Sequence, residues 1–185
     1  MNEHLEPVFK ILLPDLEKAG IDYWVYGGIA VAAYAGDFQR PNPDADIFVK
    51  EKDCNKTKLL LEEICGKQEN AGLKECNLLN KGGFSRPKFE VKINGRERLS
   101  VVPVYLRDDR VILVFGNGAK DFSEDLLEKV ERNISGYKFF TPPNKYIREI
   151  FLNCFRHKRG WKEREDIRTD AKIILSREEF EKHFS

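Results

Sequence analysis

The sequence predicts an α+β domain, and three observations carry that prediction. β-Branched and alternating segments dominate the first two thirds, helical periodicity returns in the last third, and no internal repeat interrupts them. Leu5, Val8, Phe9, Leu12, Leu13 and Leu16 recur at helical spacing, so residues 5–19 predict a helix that Gly20 stops. Pro14 lacks the N–H that a helix interior uses, so that helix is expected to kink or split there. Ile21 to Tyr26 predicts a strand, Gly27-Gly28 breaks it, and Ile29 to Ala35 predicts a short helix of small residues ended by Gly36. A polar loop with prolines follows, from Asp37 to Pro43, and then a second strand from Asp44 to Val49.

A helix is expected from about Asn55 to Cys65, while residues 66–86 carry no clear pattern. Lys88 to Ile93 alternates polar and apolar side chains, Asn94-Gly95 is a strong hairpin signal, and Leu99 to Leu106 supplies the return strand. Val111 to Phe115 predicts a further strand, broken by Gly116-Asn117-Gly118. Thr141-Pro142 has the form of an N-cap followed by proline at the first helical position, opening a helix through Ile147, Ile150, Phe151, Cys154 and Phe155. Gly160 ends it, and a second helix is expected from Trp161 to Leu175. The expected organisation is a core over residues 1–118 with a mainly helical extension over 119–185 packed on it.

Composition narrows the function classes. Charged residues make up 34% of 185, but the net charge is only +1, so there is no global drive toward nucleic acid or membrane. No apolar run approaches the roughly 20 residues of a membrane helix, and the first residues lack a signal-peptide pattern. The four cysteines form no C-x-x-C pair and only three histidines accompany them, which argues against zinc and fits reduced thiols in a cytoplasmic setting.

The chemistry concentrates between Tyr26 and Val49. On a strand, alternate side chains share a face, so Asp44 and Asp46 project together while Ala45, Ile47 and Val49 face the apolar side. Two carboxylates this close repel unless a cation neutralises them, and hard divalent ions such as Mg²⁺ suit such oxygen ligands. Gly27-Gly28 lies where a strand turns into a helix, a place where backbone N–H groups can approach phosphate. Together these parts fit metal-assisted phosphoryl or nucleotidyl transfer. Each also has a plain alternative: solvating charges for the acids, an ordinary turn for the glycines.

The order strand, Gly-Gly, small-residue helix, Arg40, Asn42, Asp44 and Asp46 resembles the polymerase-beta-type nucleotidyltransferase superfamily. The likeness is nearest to its small bacterial and archaeal members, those related to aminoglycoside and lincosamide nucleotidyltransferases and to toxin-type nucleotidyltransferases. It covers residues 21–106 and, more loosely, the tail. The resemblance implies a twisted mixed β-sheet backed by helices with a C-terminal helical extension, binding of an NTP and Mg²⁺ with a two-ion site possible, and transfer of a nucleoside monophosphate to a hydroxyl. It implies Asp44 and Asp46 as catalytic and metal-binding residues, and Gly27, Gly28 and Arg40 as nucleotide-binding residues. The acceptor stays open among a small molecule, a protein side chain and an RNA end.

One departure matters. The third carboxylate of that family is expected on the strand Leu99-Ser100-Val101-Val102, which has none, and Ser100 stands in its place. If Asn94-Gly95 is a two-residue turn, Lys92 lies opposite Glu97 and Glu90 opposite Leu99, so Glu97, ahead of Glu90, is the expected substitute ligand. Without such a ligand the alternative is a nucleotide-binding or toxin–antitoxin-type regulatory module with a partner protein. A third option is an RNA-binding protein using the basic stretch from Arg156 to Arg164. Asp166 and Asp170 resemble acids of the family's helical tail, with a structural or substrate-positioning role.

Overall fold

A computed structural model describes residues 2–79, 85–115, 118–155 and 160–184. The N-terminal segment is split, as Pro14 predicts: a 3-10 turn at Glu3–Leu5, a π-helical stretch at Val8–Leu12 and then helix α1 at Leu13–Lys18, with Pro14 in its first turn. Gly20 adopts φ +65°, a left-handed conformation that glycine accepts without strain, and releases the chain into strand β1, Tyr23–Tyr26. Helix α2, Gly27–Ala35, begins on the glycine pair itself. Strand β2 is Ala45–Lys50, helix α3 Cys54–Gly66, β3 Ala71–Leu79, β4 Ser85–Ile93 and β5 Arg96–Arg107. Strands β6 (Arg110–Phe115), β7 (Gly118–Ser123), β8 (Val130–Ile134) and β9 (Tyr137–Thr141) follow. Helices α4 (Asn144–Phe155), α5 (Glu165–Ile174) and α6 (Arg177–Phe184) complete the order.

The main sheet runs β1-β2-β5-β4-β3, and β6 and β7 extend it from the far half of β5. Among the described residues only β2 and β5 pair in parallel, so the sheet is mixed, as expected. Its two faces read directly from residue parity. Val25, Ala45, Ile47, Val49, Leu99, Val101, Phe89 and Val91 point to one face and form the larger core with α1 and α3. Trp24, Phe48, Val102 and Val104 point to the other and meet β6, β7 and α4. Trp24 stacks on Phe48 with ring centroids 5.4 Å apart. A third cluster joins Ala30 and Val31 of α2 to Ile147, Phe151, Ile167 and Ala171, which docks the C-terminal helices onto α2.

Three expectations are corrected. Thr141 does not cap a helix: it ends β9, its hydroxyl bonds Arg132 and the Pro142 carbonyl, and α4 starts only at Asn144. The stretch before it holds the β8–β9 hairpin, whose Phe139 is buried in the larger core, so the last third is less helical than its periodicity suggests. The register of β4 on β5 also differs. Asn94 and Gly95, at φ +53° and +72°, form the two-residue turn, and Lys92 does pair with Glu97. The register then shifts between Val91 and Lys92, so Glu90 lies opposite Ser100 and not Leu99. Residues 116–117 and the basic run Arg156-His157-Lys158-Arg159 lie outside the described residues. Among the described residues, no helix is long and apolar enough to cross a membrane.

Candidate active site

The site forms where β1 ends, α2 begins and the chain re-enters the sheet at β2. Asp46 pairs with Tyr26 on one side and Ser100 on the other, and Ser100 pairs in turn with Glu90. These four residues therefore line one row across β1, β2, β5 and β4, on the face opposite the larger core. Asp44 lies just before β2, two residues from Asp46, and both are partly exposed. The Tyr26 hydroxyl is pushed well above its ordinary range, first by burial and next by the Asp46 charge, with Asp44 acting in the same direction. Both carboxylates act on the Tyr26 hydroxyl, Asp46 more strongly than Asp44.

The glycine pair is what allows this corner to close. Gly27 sits at φ +70°, and a β-carbon there would lie 2.9 Å from Asp46 Oδ2. A β-carbon on Gly28 would overlap Asn42 Oδ1 and Arg40 Nη2. The N-terminus of α2 carries no side-chain cap, so its first-turn N–H groups sit beside the carboxylates with no local acceptor from Tyr26. The start of α2 and its backbone donors thus lie against the Asp46 carboxylate and the Asn42 and Arg40 side chains.

The loop before β2 is held by two segments far from it in the chain, residues 2–4 and helix α5. Asn42, 2% exposed, donates its backbone N–H to Asn2 Oδ1 at 2.8 Å and accepts from His4 Nε2 at its carbonyl at 2.7 Å. Its side-chain amide donates to the Arg40 carbonyl at 3.2 Å. Arg40 grips Asp170 of α5 with two bonds, Nε to Oδ1 at 2.8 Å and Nη2 to Oδ2 at 2.5 Å, and donates from Nη1 to the Pro41 carbonyl at 2.9 Å. Burial pushes the Asp170 carboxyl up, and the Arg40 guanidinium works against that shift. Arg40 is therefore engaged with the helical tail, and Asp170 takes the structural role expected of it. Asp166 instead pairs with its neighbour Arg164.

Glu97 and Glu90 occupy the other end of the row. Lys88 Nζ donates to Glu90 at 2.9 Å and to Glu97 at 2.8 Å, so the lysine bridges both acids. Among the described residues, no three His, Cys, Asp or Glu side chains gather closely enough to hold a metal ion by themselves. Asp46 lies in the row across the sheet and Asp44 lies just before β2, and among the described residues Glu97 does not complete a trio with them. It does line, with His4, Pro43, Asp44, Arg96 and Arg98, a cleft of about 570 Å³ beside Asp44. The contributions of Asn2 and His4 have no local sequence signal, because they arise from contacts about 40 residues apart in the chain.

No protein-family model matches the chain, and no curated protein is similar to it in sequence. Solved structures are. The lincosamide antibiotic adenylyltransferase LnuA, in its lincomycin-bound form, superposes with a TM-score of 0.63 at 22% identity, over 91% of this chain and 94% of that one. ANT(2")-Ia in complex with adenylyl-2"-tobramycin superposes with a TM-score of 0.61 at 16% identity, over the whole of both chains. The Megavirus polyadenylate synthase gives 0.54 at 12% identity, over 93% of this chain but 32% of that one. Topology and glycine-opened corner together place the chain in the nucleotidyltransferase fold.

Proposed function

We propose that this chain is a Mg²⁺-dependent nucleotidyltransferase that moves a nucleoside monophosphate from an NTP to a hydroxyl group. The observation that carries it is the close approach of Asp46 to Gly27, which sets a carboxylate against the start of α2, where no side chain caps the first-turn N–H groups. The donor set fits a hard divalent ion: Asp44 and Asp46 offer carboxylate oxygens, Ser100 lies next to Asp46 in register, and phosphate oxygens and water complete such a shell. When bound, Mg²⁺ supplies charge neutralisation and alignment of the phosphate oxygens. Gly27 and Gly28 present backbone N–H groups to the β- and γ-phosphates. Arg40 supports that cradle from behind, held by Asp170.

The acceptor enters through the cleft beside Asp44. Its hydroxyl oxygen forms a bond to the α-phosphorus, the bond from that phosphorus to the bridging oxygen breaks, and pyrophosphate leaves with the electron pair. Asp44 is the carboxylate placed to receive the hydroxyl proton, since it lines that cleft. The structural neighbours named for adenylyl transfer support the reaction class, and the fold is shared at identities that leave the acceptor open.

The test is a transfer screen with labelled ATP, CTP, GTP and UTP plus Mg²⁺, comparing wild type with Asp44→Asn/Asp46→Asn. Labelled product from the wild type alone is the expected result. Equal labelling by both proteins would remove the carboxylate pair from the chemistry. A second reading, nucleotide binding without turnover, is favoured by Ser100 where a third carboxylate is expected. It predicts Mg²⁺-dependent NTP binding with no product from any acceptor.

A further inference from the structure

The cleft beside Asp44 has a charge pattern that selects among hydroxyl acceptors. Four charged side chains line it: Asp44, Arg96, Glu97 and Arg98. Glu97 is neutralised within the fold, because Lys88 Nζ sits 2.8 Å from its carboxylate. Asp44 faces the cation in the function proposed above. What remains are two guanidinium groups. Among the described residues neither makes an ion pair, and Arg98 is steadied over the cleft by its Nη1 bond to the Pro43 carbonyl at 3.0 Å. Arg96 is exposed beside the Asn94-Gly95 turn and reaches the same cleft.

His4 and Arg98 also line a second cleft of about 510 Å³. Glu3, Glu6 and Lys10 line it as well, and Lys10 is paired with Glu6, so the unpaired positive charge lies at Arg96 and Arg98 of the first cleft. Arginine is the side chain best matched to phosphate, since its planar fork gives two parallel N–H donors to two oxygens and stays charged. A polycation entering here would meet both guanidiniums at close range with Glu97 already taken, an arrangement that costs affinity.

We infer that the acceptor is anionic, carrying a phosphate ester within a few bonds of the hydroxyl that is labelled, and that Arg96 and Arg98 bind that phosphate. A cleft of about 570 Å³ accommodates a single sugar phosphate or terminal nucleotide. The same chemistry comes from a free sugar phosphate or from the end of an RNA strand. This inference rests on the proposed transferase activity and adds to it the class of acceptor. It separates the chain from ANT(2")-Ia, which the comparison shows with an adenylylated aminoglycoside, a cationic product.

The experiment measures label transfer from NTP with Mg²⁺ to matched acceptors: ribose 5-phosphate against ribose, a short RNA with a free 3′ hydroxyl, and tobramycin as the polycation. NTP affinity is measured in parallel by titration calorimetry with Mn²⁺. The expected result is a kcat/KM at least tenfold higher for a phosphorylated acceptor than for ribose, with tobramycin unlabelled. The Arg96→Ala/Arg98→Ala variant brings ribose 5-phosphate and ribose within about threefold of one another, and Arg96→Lys/Arg98→Lys restores part of the gap. Preference for RNA over ribose 5-phosphate assigns the source to a polynucleotide end, and the reverse assigns it to a free sugar phosphate. Equal labelling of ribose and ribose 5-phosphate, a preference for tobramycin, or no labelled acceptor despite intact Mn²⁺–NTP binding overturns the inference. Loss of Mn²⁺-dependent NTP binding altogether fails the transferase proposal itself, so the two failures are distinguishable.

Discussion

Two corners of one sheet face treat their acids in opposite ways. At the β4–β5 corner, Glu90 and Glu97 are bridged by Lys88, and the charges are settled inside the fold. At the β1–β2 corner the backbone yields instead: without β-carbons, Gly27 admits the Asp46 carboxylate and Gly28 admits the Asn42 and Arg40 side chains. A carboxylate whose cation is a neighbouring lysine is structural by default. One admitted by a glycine at a helix start keeps its place beside backbone N–H donors. The difference also explains why acids of similar sequence prominence deserve different functional weight.

That contrast is most directly broken at the glycine corner. Gly27→Ala forces a side chain into φ +70° and places its β-carbon 2.9 Å from Asp46 Oδ2, so transfer should fall by about 100-fold while the protein stays folded, as read by labelled product and circular dichroism. A fall below threefold would show that the space is not used. Asp46→Asn should lose a similar factor, with the loss visible in Mn²⁺ affinity as well.

The Arg40–Asp170 pair gives the next effect. Asp170→Asn leaves a guanidinium that is 13% exposed with half its partner gone, at a cost of about 3 kcal/mol in urea unfolding. NTP affinity should fall with it, because Arg40 backs the loop that holds Asn42 against Gly28. Replacing both residues by apolar ones of similar size should recover much of the stability and none of the affinity.

At the lysine corner the effects should be small. Glu97→Gln should change Mn²⁺ affinity by less than twofold, since Lys88 holds that carboxylate; a tenfold loss would bring Glu97 into the metal shell after all. Glu90 gives the smallest signal. Burial alone would raise its carboxyl, but the Lys88 hydrogen bond and charge outweigh that and hold it below the ordinary carboxylate range. A depressed acid contributes stability above its unfolded pKa and loses it as pH falls through the folded value. Glu90→Gln should therefore lower stability slightly near neutrality and converge on the wild type as pH falls below the ordinary carboxylate range, as followed by melting temperature against pH.

Much of the glycine corner was legible in the sequence because its parts are local. Strand parity puts Asp44 and Asp46 together within three residues, and Gly27-Gly28 marks the turn from β1 into α2. The partner of Arg40 was not legible, since Asp170 lies 130 positions away. The register of β4 on β5 was legible only as far as the turn: Lys92 opposite Glu97 follows from Asn94-Gly95, and the slip one residue later does not. The β8–β9 hairpin was missed because its alternation is short and its buried residue, Phe139, packs on Phe9 from the first segment.

The loop from Arg40 to Asp44 is moored by segments far apart in the chain, Asn2 and His4 on one side and Asp170 on the other. The corner is therefore finished only once α5 has docked, and a variant that loosens α5 should slacken this loop while the strands beneath it stay paired.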